Sequence, residues 1–199
     1  KQGKILVHAT SIPKLAKFDC KYVYDIEVER LFNNELSILY LRDNHPGDIC
    51  DITNKCNEAI FQAGLQQVDI IAMHGNFSYH LPSVAKAPYY DEHKFLAMSS
   101  GFIVIGHNHD YSLLYDRIIT PGSFDANTHA DITDKGGVLV NYNNENNNIK
   151  IERLLNKNQN IFLTLENMSV NEIKKQLKLI KNNNILHLRI IVETIEIKE

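Results

Sequence analysis

Apolar residues in this chain gather in short runs that stop sharply on polar ones, and the runs carry two different periods. Leu36-Ser37-Ile38-Leu39-Tyr40-Leu41, Val68-Asp69-Ile70-Ile71-Ala72-Met73 and Phe102-Ile103-Val104-Ile105 are brief, rich in β-branched residues and bounded by turn formers, which predicts strands. Residues 4–8 and 22–26 read as further strands. Between these runs, residues 51–67 carry Ile52, Cys56, Ala59, Ile60 and Leu65 close to helical spacing, and residues 90–99 repeat the arrangement more briefly. Two successive helix-then-strand units predict parallel neighbouring strands whose last residues lie side by side.

After Asp110 the texture changes to short strands at 112–115, 117–120, 137–142 and 149–155. The turn Pro121-Gly122-Ser123 interrupts them, and the polar run 143–148 reads as a hairpin loop. From residue 161 a strand (162–165), an amphipathic helix (170–180, ended by Asn182-Asn183-Asn184) and a β-rich run (185–197) predict a βαβ-like tail. The expected organisation is an α/β fold with one domain over 1–157 and a small α/β tail over 158–199.

Composition narrows the class. The 199 residues suffice for one domain plus an appendage, and 44% hydrophobic with 23% charged residues is ordinary for a globular protein. A net charge of −3, with nine histidines counted neutral, gives no global basic field, so a nucleic-acid partner would need a local basic patch. Three cysteines, Cys20, Cys50 and Cys56, form no Cys-x-x-Cys pair, which argues against a disulfide framework or a cysteine-rich zinc site and for a reducing, cytoplasmic setting. No apolar run reaches bilayer length and no signal-peptide pattern opens the chain, so no membrane partner is expected. The first residue is Lys1, which suggests a segment of something longer.

Two of the apolar runs end on histidine, at His74-Gly75 and at Gly106-His107-Asn108-His109. Open α/β sheets keep their chemistry at the carboxyl ends of strands. Imidazole suits divalent transition metals, and His107 and His109, at i and i+2 just past a strand, can face one cavity. Gly106 is expected to let the backbone turn there, and His74 supplies a third nitrogen. His74, His107 and His109 are therefore the candidate metal ligands. His80 is a candidate substrate contact near His74, with a surface loop histidine as the plain alternative. His93 and His129 have no partner pattern, and His8 and His187 fall in apolar strands. Lys174, Lys175, Lys178 and Lys181 share one helix, by default a solvated face and otherwise a contact for a DNA backbone.

These motifs, in this order, resemble the calcineurin-like metallophosphoesterase family: a strand ending His-Gly, a strand ending Gly-His-x-His, then Pro-Gly-Ser. The resemblance covers roughly residues 36–155. It implies a metallophosphoesterase sandwich, with His74 and His107 on one metal and His109 on the other. Within the family the chain is similar to SbcD-type DNA repair exonuclease subunits and their phage relatives. That likeness rests on Pro121-Gly122-Ser123-Phe124-Asp125, Asp134-Lys135-Gly136-Gly137 and a tail with Phe162-Leu163-Thr164-Leu165 and Leu188-Arg189-Ile190-Ile191-Val192 similar to their cap. It implies two manganese ions, a metal-activated water as nucleophile, a DNA substrate and a coiled-coil ATPase partner of the SbcC type, and it admits a homodimer. The alternatives are a phosphoesterase acting on small phosphodiesters, nucleotides or phosphoproteins, and a non-catalytic partner-binding module.

Two such metals also need carboxylates to bridge them and offset their charge. Family members supply these from Asp-x-His, Gly-Asp-x-x-Asp and Gly-Asn-His-Asp/Glu, the last of which has no counterpart here. Asp43-Asn44-His45 and Gly47-Asp48-Ile49-Cys50-Asp51 match the first two literally, making Asp43 and His45 a second candidate ligand pair. Only Pro46 separates them, where the family has a helix. The plainer reading of 43–51 is a turn followed by a helix cap at Asp51. On that reading the first catalytic segment lies upstream of Lys1, and this chain alone is expected to bind metal weakly and turn over little.

Overall fold

The computed structural model describes residues 23–43, 45–81, 88–179 and 186–191. The strand expected at 4–8, together with His8, Cys20, Tyr22, Lys181 and the run beyond Ile191, lies outside these. The chain divides into two compact units, Lys1–Ile103 and Val104–Glu199. The first holds β1 (Ile26–Leu31), β2 (Leu36–Leu41), α1 (Ile49–Gln62), β3 (Val68–His74), α2 (Glu92–Met98) and most of β4 (Ser99–Gly106). The second continues with β5 (Ser112–Leu114), β6 (Ile118–Thr120), β7 (Gly136–Asn143), β8 (Asn148–Leu155), β9 (Ile161–Glu166), α3 (Val170–Leu179) and β10 (Leu186–Ile191). The architecture is mixed α/β: a six-stranded sheet in the order β1-β2-β3-β4-β6-β5, with two-stranded sheets β7-β8 and β9-β10.

In the first unit, β2 alternates with the period of a half-buried strand, and Ser37, Leu39 and Leu41 are its buried residues. It pairs parallel with β3, Ile38 opposite Ile70 and Leu41 opposite Met73. A reciprocal clamp fixes this register: Ser37 N–H and Oγ–H both donate to Asp69 Oδ2 at 2.7 and 2.6 Å, while Asp69 N–H donates to Ser37 Oγ at 3.0 Å. The strand expected over 22–26 begins instead at Ile26 and runs to Leu31, antiparallel to β2. Phe32, Asn33 and Asn34 all take positive φ to close this hairpin, a conformation asparagine tolerates. Alternating charges at Glu27, Glu29 and Arg30 hide the strand from a search for apolar runs.

Helix α1 starts two residues before its expected beginning and ends at Gln62, five short of the expected 67. Its cap is Asp48, not Asp51: Asp48 Oδ1 accepts from Cys50 N–H and Asp51 N–H at 2.8 and 3.1 Å, while Asp51 stands in the first turn, where a negative charge suits the helix dipole. Ile52, Cys56 and Ile60 form its buried stripe, and the helix packs on β1 and β2. Asp91 caps α2 in the same manner, and Phe95 of that helix meets Phe77 and Tyr90 edge-on, with centroids 5.8 and 5.3 Å apart.

In the second unit, β5 and β6 form a short hairpin whose Ile118, Ile119 and Thr120 are fully buried. Strands β7 and β8 pair over eight residues, from Gly136 opposite Leu155 to Asn143 opposite Asn148, around the expected polar loop. The tail is a true βαβ unit, with β9 and β10 parallel and Ile161 opposite Leu186. Helix α3 begins with a capping box: Ser169 N–H donates to Glu172 Oε2 at 2.8 Å, and Glu172 N–H to Ser169 Oγ at 3.4 Å. Among the described residues, no helix is long and apolar enough to cross a membrane.

Candidate functional site

Strand β3 of the first unit delivers His74 at its carboxyl end. The ring meets Asp43, which follows β2, with Nδ1 2.8 Å from Oδ1. A carboxylate accepts, so Nδ1 is the donor of this pair. Asp43 thus comes to His74, whereas its expected companion His45 turns elsewhere. The His45 side chain is 3% exposed, its Nε2 sits 2.7 Å from Asp25 Oδ1, and its buried Nδ1 has no hydrogen-bond partner. That hydrogen bond from the His45 imidazole, with one from Ile26 N–H, holds the Asp25 carboxyl below its ordinary value. His80 closes a single turn of 3₁₀ helix: its Nδ1 accepts from Phe77 N–H at 3.1 Å, and its ring lies against Tyr79.

In the second unit, β4 ends at Gly106, and the unusual backbone falls one residue later than expected. His107 has φ +109°, a region that side chains other than glycine rarely enter and that is held only where the surroundings over-determine it. Two residues on, His109 Nδ1 lies 3.2 Å from Asp131 Oδ1. The Asp131 side chain is 5% exposed, and its other oxygen accepts from Asn127 N–H, Thr128 N–H and Thr128 Oγ–H at 3.0, 2.9 and 3.1 Å. Burial pushes this carboxyl up. The Asn127 and Thr128 N–H groups and the Lys135 ammonium outweigh burial and hold it well below the usual carboxylate range.

The Pro-Gly-Ser turn has a specific task here. Ser123 N–H donates to the His109 carbonyl at 3.0 Å, and Gly122, at φ +77°, comes so close that a Cβ would stand 2.9 Å from that oxygen and 3.0 Å from Tyr111 N. Only glycine lets the turn seat on the main chain of His109. The Lys-Gly segment is as tightly placed. Lys135 is fully buried beside Asp131, and a Cβ on Gly136 would collide with the Leu154 carbonyl. Sequence reasoning missed Asp131 altogether. It stands 22 positions from His109, in no pattern that names a partner.

His74 and His109 share one arrangement: Nδ1 rests on a carboxylate, the form in which metal-binding histidines are ordinarily held. Residue by residue, this donor chemistry fits a divalent ion. Among the described residues, no three or more His, Cys, Asp or Glu side chains gather into one group able to hold a metal. His74 belongs to the first unit and His107 and His109 to the second. Scans of the sequence against protein-family models and against curated proteins give no match.

Proposed function

We propose that this chain is a metal-dependent phosphodiesterase with a calcineurin-like fold, and that it serves as a nuclease subunit of the SbcD type. One observation carries the reading: a buried, multiply hydrogen-bonded Asp131 grips the half-exposed ring of His109 by Nδ1 and so fixes its tautomer. A surface histidine that merely met solvent would need no such support. His74, set on Asp43 at the end of β3, and His107, in its strained backbone at the end of β4, support the same reading.

His74 in the first unit, and His107 and His109 in the second, are each proposed as ligands to divalent ions, manganese being the expected metal. Bound there, such ions supply positive charge to the phosphate oxygens and make water acidic enough to attack near neutral pH. The chain's own residues do the rest. Asp43 and Asp131 hold the His74 and His109 rings by Nδ1, the support that orients an imidazole ligand. The exposed Lys174, Lys175 and Lys178 of α3 give a basic face for a phosphodiester backbone. A coiled-coil ATPase of the SbcC type is the proposed partner.

The test measures Mn²⁺ affinity of the chain by calorimetry, beside a His107→Ala/His109→Ala variant, and then the cleavage of linear duplex DNA and of a chromogenic phosphodiester with Mn²⁺ added. The expected result is Mn²⁺ binding that falls at least about tenfold in the variant, a loss of the size seen when metal ligands or their supports are removed. Equal binding by both proteins overturns the metal site. Cleavage of the small ester with intact DNA moves the substrate class to small phosphodiesters.

A further inference from the structure

Lys135 is the most deeply buried charged side chain among the described residues, at 1% exposure, and lysine is almost never fully buried without partners. Its ammonium lies 3.0 Å from the His109 carbonyl, 3.1 Å from Asp131 Oδ1, 3.2 Å from Asp110 Oδ1 and 3.3 Å from Thr133 Oγ1. Three N–H donors thus serve four acceptors. One of these acceptors is the main chain of His109. Another is the same carboxylate oxygen that receives the Nδ1 proton of the His109 ring.

We propose that Lys135 is a positioning residue for His109, and that it fixes the orientation and tautomer of the imidazole by anchoring Asp131. This rests on the proposed function for what His109 does. The geometry of the anchor does not depend on it. A buried ion pair contributes little net stability compared with well-packed apolar side chains, because both ions must give up water. Such a pair does impose one arrangement. Without the ammonium, Asp131 Oδ1 keeps the ring as its sole partner in the cluster, and the carboxylate, held only at Oδ2 by Asn127 and Thr128, can turn Oδ1 off the ring. The ring would then lose the acceptor that selects the Nδ1–H form. Phosphoesterase chemistry enters only at the next step, where a ring with mixed tautomers offers Nε2 to a cation for only part of the time.

The experiment uses the whole chain and reads the ring itself. Two-bond ¹⁵N–¹H correlation of the histidine side chains distinguishes Nδ1–H from Nε2–H, with His109 assigned through a His109→Gln control. In the native chain the His109 ring is expected as a single Nδ1–H tautomer. In Lys135→Met, close in volume and without charge, it is expected as a mixture, with Mn²⁺ affinity down about ten- to a hundredfold, the range for lost second-shell support. A folded Lys135→Met protein that keeps the pure Nδ1–H form overturns the proposal, whatever its thermal stability, since a purely structural lysine would alter stability and leave the tautomer alone. Should Lys135→Met fail to fold, the charge-matched Lys135→Met/Asp131→Asn variant is compared with Asp131→Asn. The proposal requires the same tautomer mixture in both, and any further change in the double variant overturns action through Asp131. If the native chain binds no Mn²⁺, the proposed function fails, while the tautomer measurement still decides the role of Lys135.

Discussion

Asp131 is nearly cut off from water, yet the groups around it keep it ionised: two backbone N–H groups, the Thr128 hydroxyl, the His109 ring and the Lys135 ammonium. Its folded pKa lies below the unfolded value of 3.8, so its contribution to stability is fully present above about pH 4 and is lost as pH falls through the folded value. The Asp131→Asn protein has no such proton to take up. Urea midpoints followed from pH 6 down to pH 2 should therefore fall more steeply for the native chain than for the variant. Parallel curves would show that this carboxyl is not depressed. Cys56 illustrates the opposite effect, since burial pushes its thiol up to about 12, whereas Cys50 is exposed. The thiolate is the reactive form. Peptide mapping after iodoacetamide treatment of the folded chain at pH 8 should find Cys50 alkylated and Cys56 untouched until denaturant is added.

Helix α3 shows how a single cap can decide a marginal element. It has ten residues, near the lower limit of stability for a helix, and its first turn depends on the reciprocal Ser169 and Glu172 hydrogen bonds. Ser169→Ala should cost about 1 kcal/mol, read as a lowered urea midpoint and as faster amide exchange in the first turn of α3. Unchanged exchange there would remove the cap from the account. The same local chemistry explains which elements could be read in advance. β2 and β3 match their expected bounds because dense apolar runs end on polar residues. The start of α1 was misplaced because two aspartates, Asp48 and Asp51, both suit a cap, and only the backbone direction at Gly47-Asp48 chooses between them. β1 was misplaced because its identity comes from pairing with β2 across a turn, not from its own composition.

Each of the two units has its own apolar centre. In the first, Phe95 is fully buried and meets Phe77 and Tyr90 edge-on, and Ile52, Cys56 and Ile60 are the buried stripe of α1. Phe95→Ala should cost about 3–5 kcal/mol, the range for a large aromatic removed from a core that cannot collapse around the gap. Chemical denaturation followed by circular dichroism checks this. A loss under about 1 kcal/mol would mean that the aromatic trio is not a packed centre. In the second unit, Ile105, Ile118, Ile119, Ala126 and Leu165 are the buried apolar side chains among the described residues. The network of Asp131 and Lys135 adds a polar centre in which every carboxylate contact is matched by a donor.

Local order in the amino acids was enough to reveal most strands, the three α-helices of the described residues, the βαβ tail and the histidines at the ends of β3 and β4, because periodicity and turn chemistry act over a few neighbouring residues. It could not reveal that Asp43 belongs to His74, Asp131 and Lys135 to His109, or His45 to Asp25. Those pairings join positions 20 to 31 residues apart, which chain folding alone brings within hydrogen-bond distance. The donors of the candidate site are written in the chain. The carboxylates that rest on Nδ1 of His74 and His109, the exposed Asp43 and the buried Asp131, are supplied by folding alone.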